Sequence, residues 1–306
     1  MLFPVLLGVS FMVFVLLRLL PGDVVTIMLG ETGNLSPEQA DALRTELGLN
    51  KPFVVQYAEW VWGILRGDWG VSAFSRQPVL YEMLRRLPVS AELTLLSMLV
   101  SLSFAIPIGV IAAVRQDTPI DYVMRIMSVF GLSLPGFWVA TMLLLFLAMQ
   151  FQWVPPLRYV PFIDNPWMNI QSFVLPSFAI GISASASIMR MTRATLLEVM
   201  RQDYVRTAWA KGLTERAVII RHALKNALIP VVTIMGNQVG FLLGGSVIME
   251  QIFTLPGLGR LTLESIYQRD YPQLQGNILF VATVFVTVNL IVDISYAWLD
   301  PRIRYR

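Results

Sequence analysis

The sequence predicts an all-α membrane protein: six membrane-crossing helices, with a small helical segment after the first. Three observations predict it. Of 306 residues, 56% are hydrophobic and only 14% charged, and the mean hydropathy is +0.63; an ordinary soluble domain carries roughly 25% charged residues. The apolar residues fall into six runs near the length a crossing helix needs, about 20 residues. The basic residues gather on alternate sides of those runs. Composition therefore excludes a soluble globular enzyme, a disordered chain and a disulfide scaffold. With no cysteine there is no disulfide and no Cys-ligated metal. A single histidine, His222, argues against a His-rich zinc site or a Ser-His-Asp triad. No catalytic residue and no metal site is expected.

The six spans are Leu2–Leu20, Pro88–Val114, Ile126–Phe151, Phe173–Met189, Ala227–Met249 and Ile278–Leu299. A signal-peptide core is the alternative for the first. No basic residue precedes it, however, and Pro21-Gly22-Asp23 is not a small-x-small cleavage site. A chain that starts inside apolar sequence invites the expectation of a short basic leader upstream. The fourth span holds Pro176, Gly181 and four serines, and is expected to continue as a helix past Arg190 into water.

Six spans place both termini on one side. Segments 115–125, 190–226 and 300–306 carry 2, 8 and 3 basic residues, whereas 152–172 and 250–277 carry 1 and 2. The first set is therefore cytoplasmic. The long segment 21–87 lies outside, because long loops cross largely regardless of their charge. It is expected to be helical. Ser36 reads as an N-cap with Pro37 at the first helical position and Gln39 reaching back, and Gly48 as the stop. A second amphipathic stretch, Phe53 to Arg66, puts Tyr57, Trp60, Val61 and Ile64 on one face, and Gly67 ends it. Such a segment suits a cap on the bundle or a docking surface for an external partner; both stay open.

The cytoplasmic segment between spans four and five is the most informative. Asp203 can cap a short helix through Lys211, Gly212 can take the left-handed conformation that stops it, and Thr214 can cap a second helix from Glu215 to Asn226. Pro230 lies just inside the fifth span. Val218, Ile219 and Leu224 form an apolar side, with Arg216, Arg221 and Lys225 spread around it. Two readings fit: a basic helix on anionic headgroups, or a rigid knob that docks into another protein.

This segment resembles the cytoplasmic coupling loop of ABC-importer permeases. The family pattern is Glu-Ala-Ala, three residues, Gly, then a later Ile-x-Leu-Pro. Here Arg206-Thr207-Ala208 takes the Glu-Ala-Ala place, Gly212 the glycine and Pro230 the proline. The arginine and the longer Gly-to-Pro distance both resemble the dipeptide/oligopeptide/nickel branch. The resemblance covers essentially the whole chain. It runs through Leu20-Pro21-Gly22-Asp23, Leu47-Gly48-Leu49 with Pro52, and Gly67-Asp68-Trp69-Gly70-Val71-Ser72. It continues with Gly109-Val110-Ile111-Ala112-Ala113, Asp203-Tyr204-Val205 and Asn226-Ala227. It ends with Phe253, Leu255-Pro256-Gly257-Leu258-Gly259-Arg260, Arg269-Asp270-Tyr271-Pro272, Asn289, Val292-Asp293 and Asp300-Pro301-Arg302-Ile303-Arg304. Each motif alone is weak; their number and order carry the resemblance.

The resemblance implies a type I importer permease fold in a bacterial-type inner membrane. Its parts would be a first transmembrane helix (1–20), a periplasmic helical segment (21–87), and a five-helix transmembrane domain (88–299) with coupling loop 201–230. A cytoplasmic tail (300–306) follows. It implies an ATPase-coupling surface at Asp203, Arg206, Thr207, Ala208, Lys211, Gly212, Glu215 and Pro230. The partners it implies are a second homologous permease, two ATP-binding subunits or domains, and an external substrate-binding protein. Nucleic acid is not among them. ATP and Mg belong to the partner ATPases, and this chain binds no cofactor. No G-x-x-x-x-G-K-[ST] phosphate loop is present.

Inside the spans only Arg18, Glu92 and Asp293 are charged. Arg18 is near a span end and can snorkel; Asp293 is deep enough to need a partner or a water-filled cavity. In the fifth span Gly236, Gly240 and Gly244 recur at four-residue spacing with Gly245 beside them, and Asn237 and Gln238 sit at similar depth. This pattern suits a tight helix–helix seam or a helix lining a translocation pathway, and the resemblance favours the second. Di- or oligopeptides head the substrates the branch implies, followed by glutathione, nickel chelates and opines. The competing class, an ion-coupled secondary transporter acting alone, calls for internal repeats and interrupted midplane helices, and no repeat is visible here.

Overall fold

The computed structural model describes residues 2–19, 25, 37–46, 48 and 50–299. The expected Ser36 cap, the Leu20–Asp23 motif and the tail 300–306 lie outside the described residues. The described residues form helices, with one isolated bridge between Val71 and Pro78. The chain divides into two compact units, Met1–Ser90 with Pro256–Val286, and Ala91–Leu255 with Thr287–Arg306.

The first unit begins with α1 (Leu2–Leu19), α2 (Pro37–Glu46) and α3 (Phe53–Leu65). Gly48 closes α2 at φ +68° and Gly67 closes α3 at φ +86°. Both glycines take the left-handed backbone that other residues resist. α3 turns its predicted face inward: Phe14 of α1 is wholly buried among the rings of Phe53, Tyr57 and Trp60, at centroid distances of 5.1, 5.3 and 5.9 Å. Such aromatic pairs add to the burial of apolar area. Arg18 does not simply snorkel. Its guanidinium lies 3.7 Å over the Phe14 ring and donates through Nε and Nη2 to Gln56 Oε1, at 2.8 and 2.6 Å.

The Gly67–Ser72 motif is a tight connector. Asp68 Oδ1 accepts from Gly70 N, and Trp69 packs near Val79, Met83, Leu258 and Leu261. Ser72 Oγ donates to the buried Asp270 carboxylate, which also accepts from Phe74 N and Gln273 N. These bonds explain the Arg269–Pro272 motif, in which Asp270 caps the helix that starts at Tyr271. That unit also holds α12 (Leu258–Tyr267), whose first N–H donates to Ser90 Oγ.

The second unit is built around two long helices, α4 (Val79–Val114, from Ala91 on) and α7 (Pro166–Met200). They pack closely because two glycines leave room. A Cβ on Gly181 would stand 2.7 Å from Val100 Cβ, and one on Gly109 would stand 2.8 Å from Thr192 Cβ. α7 continues as a helix past Arg190, as expected, to Met200. In segment 152–172, Tyr159 packs edge-on against Phe173. Burial, with the nearby Glu92 and Asp164 carboxylates, pushes the Tyr159 phenol above its usual range.

The expected third span, Ile126–Phe151, is not one helix. It is α5 (Pro119–Ser133) and α6 (Gly136–Phe151), bent 96° apart. Leu134, extended at φ −94° and ψ 123°, precedes Pro135. A residue before proline is driven out of the helical region, and proline has no N–H to continue the ladder. The expected fifth span begins close to where a bend does: α8 (Asp203–Ala210) and α9 (Glu215–Ala227) precede α10 (Ile229–Gly245), which leaves α9 at 52°, and α11 (Val247–Ile252) follows after an interruption at Ser246. The last helix, α13 (Tyr271–Leu299), is shared between the units. Among the described residues, three helices are long and apolar enough to cross a membrane unbroken, and five crossings result if each bent pair is one span. α1 is a shorter apolar helix, so the six expected spans exceed this number.

Candidate functional site

The hairpin between α7 and α10 is the site the sequence singled out. Its core is small: Val205 and Ala208 of α8 pack with Val218 of α9 and with Val199. Asn226 Nδ2 donates to Tyr204 OH at 2.7 Å and ties the two arms. Thr195 Oγ1 of α7 donates to Ala227 O at 2.8 Å and fixes the hairpin to the long helix. Between the arms, Gly212 takes φ +76°, and nothing lies within 4 Å of where a Cβ would be. The glycine is therefore required by its backbone conformation, not by crowding.

Two details differ from the sequence reading. Asp203 is not the cap. Gln202, extended at ψ 148°, is the N-cap residue, and Asp203 is the first helical residue, where its charge still suits the helix N-terminus. Thr214 does hold the N-cap position but makes no side-chain cap bond. α9 also carries a π-helical stretch, Val218–Ala223. Asp203, Arg206, Thr207, Lys211, Gly212 and Glu215 are all exposed, Ala208 is buried and Pro230 is half-buried at the start of α10. Arg206 reaches Asp203 at 3.5 Å, an exposed pair of little energetic weight. Tyr204, Trp209 and Leu213 are exposed beside these charges. The arrangement is a rigid hairpin whose buried side is apolar and whose free side mixes aromatic, basic and acidic groups.

The residues assigned to a pathway do not converge on one spot. Gly236 is a packing residue: a Cβ there would stand 2.4 Å from Val292 of α13. Gly240 is buried, and Asn237 is exposed. Gln238 reaches α7, its Nε2 donating to Ala184 O at 3.1 Å and Ser187 Oγ at 2.7 Å. It borders a cavity of about 420 Å³ with Ser183, Gly136, Phe137 and Phe241. Of Gly244 only its place within α10 is described. Asp293 lies next to Val292 on an exposed side of α13.

Sequence reasoning missed the strongest polar tie near the hairpin. Arg193 of α7 holds Asp121, which is fully buried in the first turn of α5, through two bonds of 2.7 and 2.6 Å. Asp117 N adds a third at 3.1 Å. Nothing local marks a partner 72 residues away. The break at Pro135 did carry a signal, the Pro135-Gly136 turn dipeptide.

The fold has known counterparts. The methionine ABC transporter MetNI, solved in inward-facing conformations, matches with a TM-score of 0.59 at 15% identity, over 72% of this chain and 97% of that one. This likeness shows the fold, an ABC-importer permease fold. The family model "Binding-protein-dependent transport system inner membrane component" matches residues 105–305, and the model of that family's N-terminal part matches residues 2–94. The chain belongs to this family. A putative peptide transport system permease protein of Brucella abortus (strain 2308) is 41% identical, over 99% of this chain and 96% of its own length. The dipeptide transport system permease protein DppB of Escherichia coli (strain K12) is 40% identical over the same shares.

The protein is thus a multi-pass membrane permease subunit of an ABC importer, not an enzyme. Membership implies that it works with a partner ATPase and a substrate-binding protein.

Proposed function

We propose that this permease forms half of a translocation pathway for peptides, di- or oligopeptides first, across an inner membrane with both termini in the cytoplasm. A second homologous permease supplies the other half, and two ATP-binding subunits or domains dock against the hairpin. ATP and Mg bind those subunits, and this chain binds no cofactor. The observation that carries the reading is the hairpin itself. Its turn is set by Gly212 at φ +76°, its base is bonded to α7 through Thr195, and its free side is exposed. A rigid lever fixed to a crossing helix can pass a push from a partner into the membrane. The names of relatives 40–41% identical over nearly the whole chain support the peptide substrate.

The deciding experiment reconstitutes the permease with its partners and measures uptake of a labelled dipeptide. Glutathione, a nickel chelate and an opine serve as competitors. Uptake that needs ATP and is blocked best by dipeptides is expected. Uptake driven by an ion gradient without ATP would overturn the importer mechanism, and preferential block by another competitor would overturn the peptide assignment.

A further inference from the structure

Helix α3 buries no residue fully, and its two free edges differ in kind. On one edge Val54, Ala58, Val61 and Leu65 recur at i, i+4, i+7 and i+11, the spacing of a single helical stripe. Val54 is 73% exposed and Leu65 66%. The other edge carries Gln56, Glu59 and Arg66. Glu59 is paired with Lys51 at 2.8 Å. The Arg66 guanidinium lies 4.6 Å over the ring of Trp62, which is itself exposed.

Contacts with α1 fix which edge points which way. α1 carries one charge, Arg18, and exposes Leu7, Phe11, Met12 and Leu16. In a multi-pass membrane protein, lipid is the solvent for such a surface. α3 crosses α1 at Phe14, whose ring meets those of Phe53, Tyr57 and Trp60. Gln56 accepts from Arg18 Nε at 2.8 Å, so the polar edge lies toward the Leu19 end of α1. Tyr57 reaches the opposite way, its hydroxyl 2.9 Å from Ser10 Oγ. At about 100° per residue, the stripe lies within about 100° of Tyr57 on the side away from Gln56. The apolar edge therefore faces along α1 toward its middle. Phe14 stands five residues before Leu19, which is about 7–8 Å along a helix. An interfacial helix buries its apolar face to about that depth, roughly 5–10 Å.

We propose that α3 is an interfacial helix seated in the membrane leaflet at the Leu19 end of α1, and that phospholipid acyl chains cover its stripe of Val54, Ala58, Val61 and Leu65. Trp62 and Arg66 then lie at headgroup level, where an amphipathic ring and a guanidinium on an apolar stem are at home. The Lys51–Glu59 pair faces the water above them. A soluble partner arriving from that side meets the polar edge and not the stripe, which is why lipid and not a docked protein is the occupant. The seating rests on α1 lying in the membrane and not on the peptide reading of the transport function.

The chain has no cysteine, so a single nitroxide can be placed at will. The test uses the full chain in phospholipid nanodiscs with Val54→Cys, Ala58→Cys, Leu65→Cys and Glu59→Cys, and with Met12→Cys on α1 as the membrane reference. All five side chains are exposed. Electron paramagnetic resonance reads collisions of each label with oxygen, which enters hydrocarbon, and with chromium oxalate, which as an ion does not. The oxygen-to-chromium ratio at positions 54, 58 and 65 should match that at 12 and exceed that at 59 by about tenfold, because a charged agent is excluded from the bilayer core. Chromium access at 54, 58 and 65 equal to that at 59 would mean that α3 stands in water, and would overturn the seating. Few collisions with either agent at those three positions would mean that protein covers the stripe, and would also overturn it. Chromium access at Met12→Cys would overturn the placement of α1 on which the seating rests. ATP-driven dipeptide uptake is measured separately and reads none of these positions, so failure of the seating and failure of the peptide reading are distinguishable.

Discussion

Gly212 shows how one residue decides what a segment can do. Its φ of +76° costs a side-chain-bearing residue about 1–2 kcal/mol, while the space around it is open. Alanine and leucine there pay the same strain but differ in bulk on the exposed side. We expect Gly212→Ala to transport nearly normally, and Gly212→Leu to insert normally but hydrolyse ATP without uptake. The measurement is uptake per ATP hydrolysed in proteoliposomes. Equal loss in both variants would mean that backbone strain, not docking, is what matters. The Asp121–Arg193 pair poses the opposite case, a charge with no exposure. Removing Arg193 leaves the carboxylate without the partner that covers it, so Arg193→Ala should destabilise by about 1–3 kcal/mol. The double change Asp121→Asn with Arg193→Gln should cost clearly less. Thermal unfolding of the detergent-solubilised variants reads both, and a fully additive double variant would show that the pair is not coupled.

At the scale of elements, α4 and α7 approach each other through Gly109 and Gly181, which replace side chains with backbone contact. Gly181→Leu would drive its side chain into Val100 and the Ser97 carbonyl, which stand 2.7 and 2.8 Å from the position of a Cβ. Overpacking of this kind costs about 1–3 kcal/mol or more. The variant should lose thermal stability before it loses insertion, and an unchanged melting temperature would contradict the packing. Both helices were legible from their apolar runs. Their partnership was not, because Gly181 beside Pro176 in a serine-rich run reads equally well as a weak span. The α5–α6 break was legible only as the turn dipeptide Pro135-Gly136. Apolar composition runs unchanged through Leu134 and concealed a 96° bend. Caps were read one residue off at Asp203, since Gln202 takes the extended conformation and no side chain there bonds the first free N–H groups.

At the scale of the whole molecule, the chain should show no ATPase activity when purified alone, and should stimulate none until its partner subunits are added. A phosphate-release assay checks this, and robust hydrolysis by the pure subunit would overturn the division of labour. The sequence by itself determined the class of this protein, because hydropathy and charge placement are sums over residues and need no geometry. Six apolar runs, the crowding of basic residues into 190–226 and the ordered motifs were enough for an importer permease. It also determined Gly212, because a turn glycine between two helical stretches is a local event. Only the tertiary structure decided what the buried polar residues face. Arg193 meets Asp121, Gln238 meets Ser187, and Arg18 meets Gln56. Those meetings join residues far apart in the chain, and their partners are set by how helices pack, which no local spacing records.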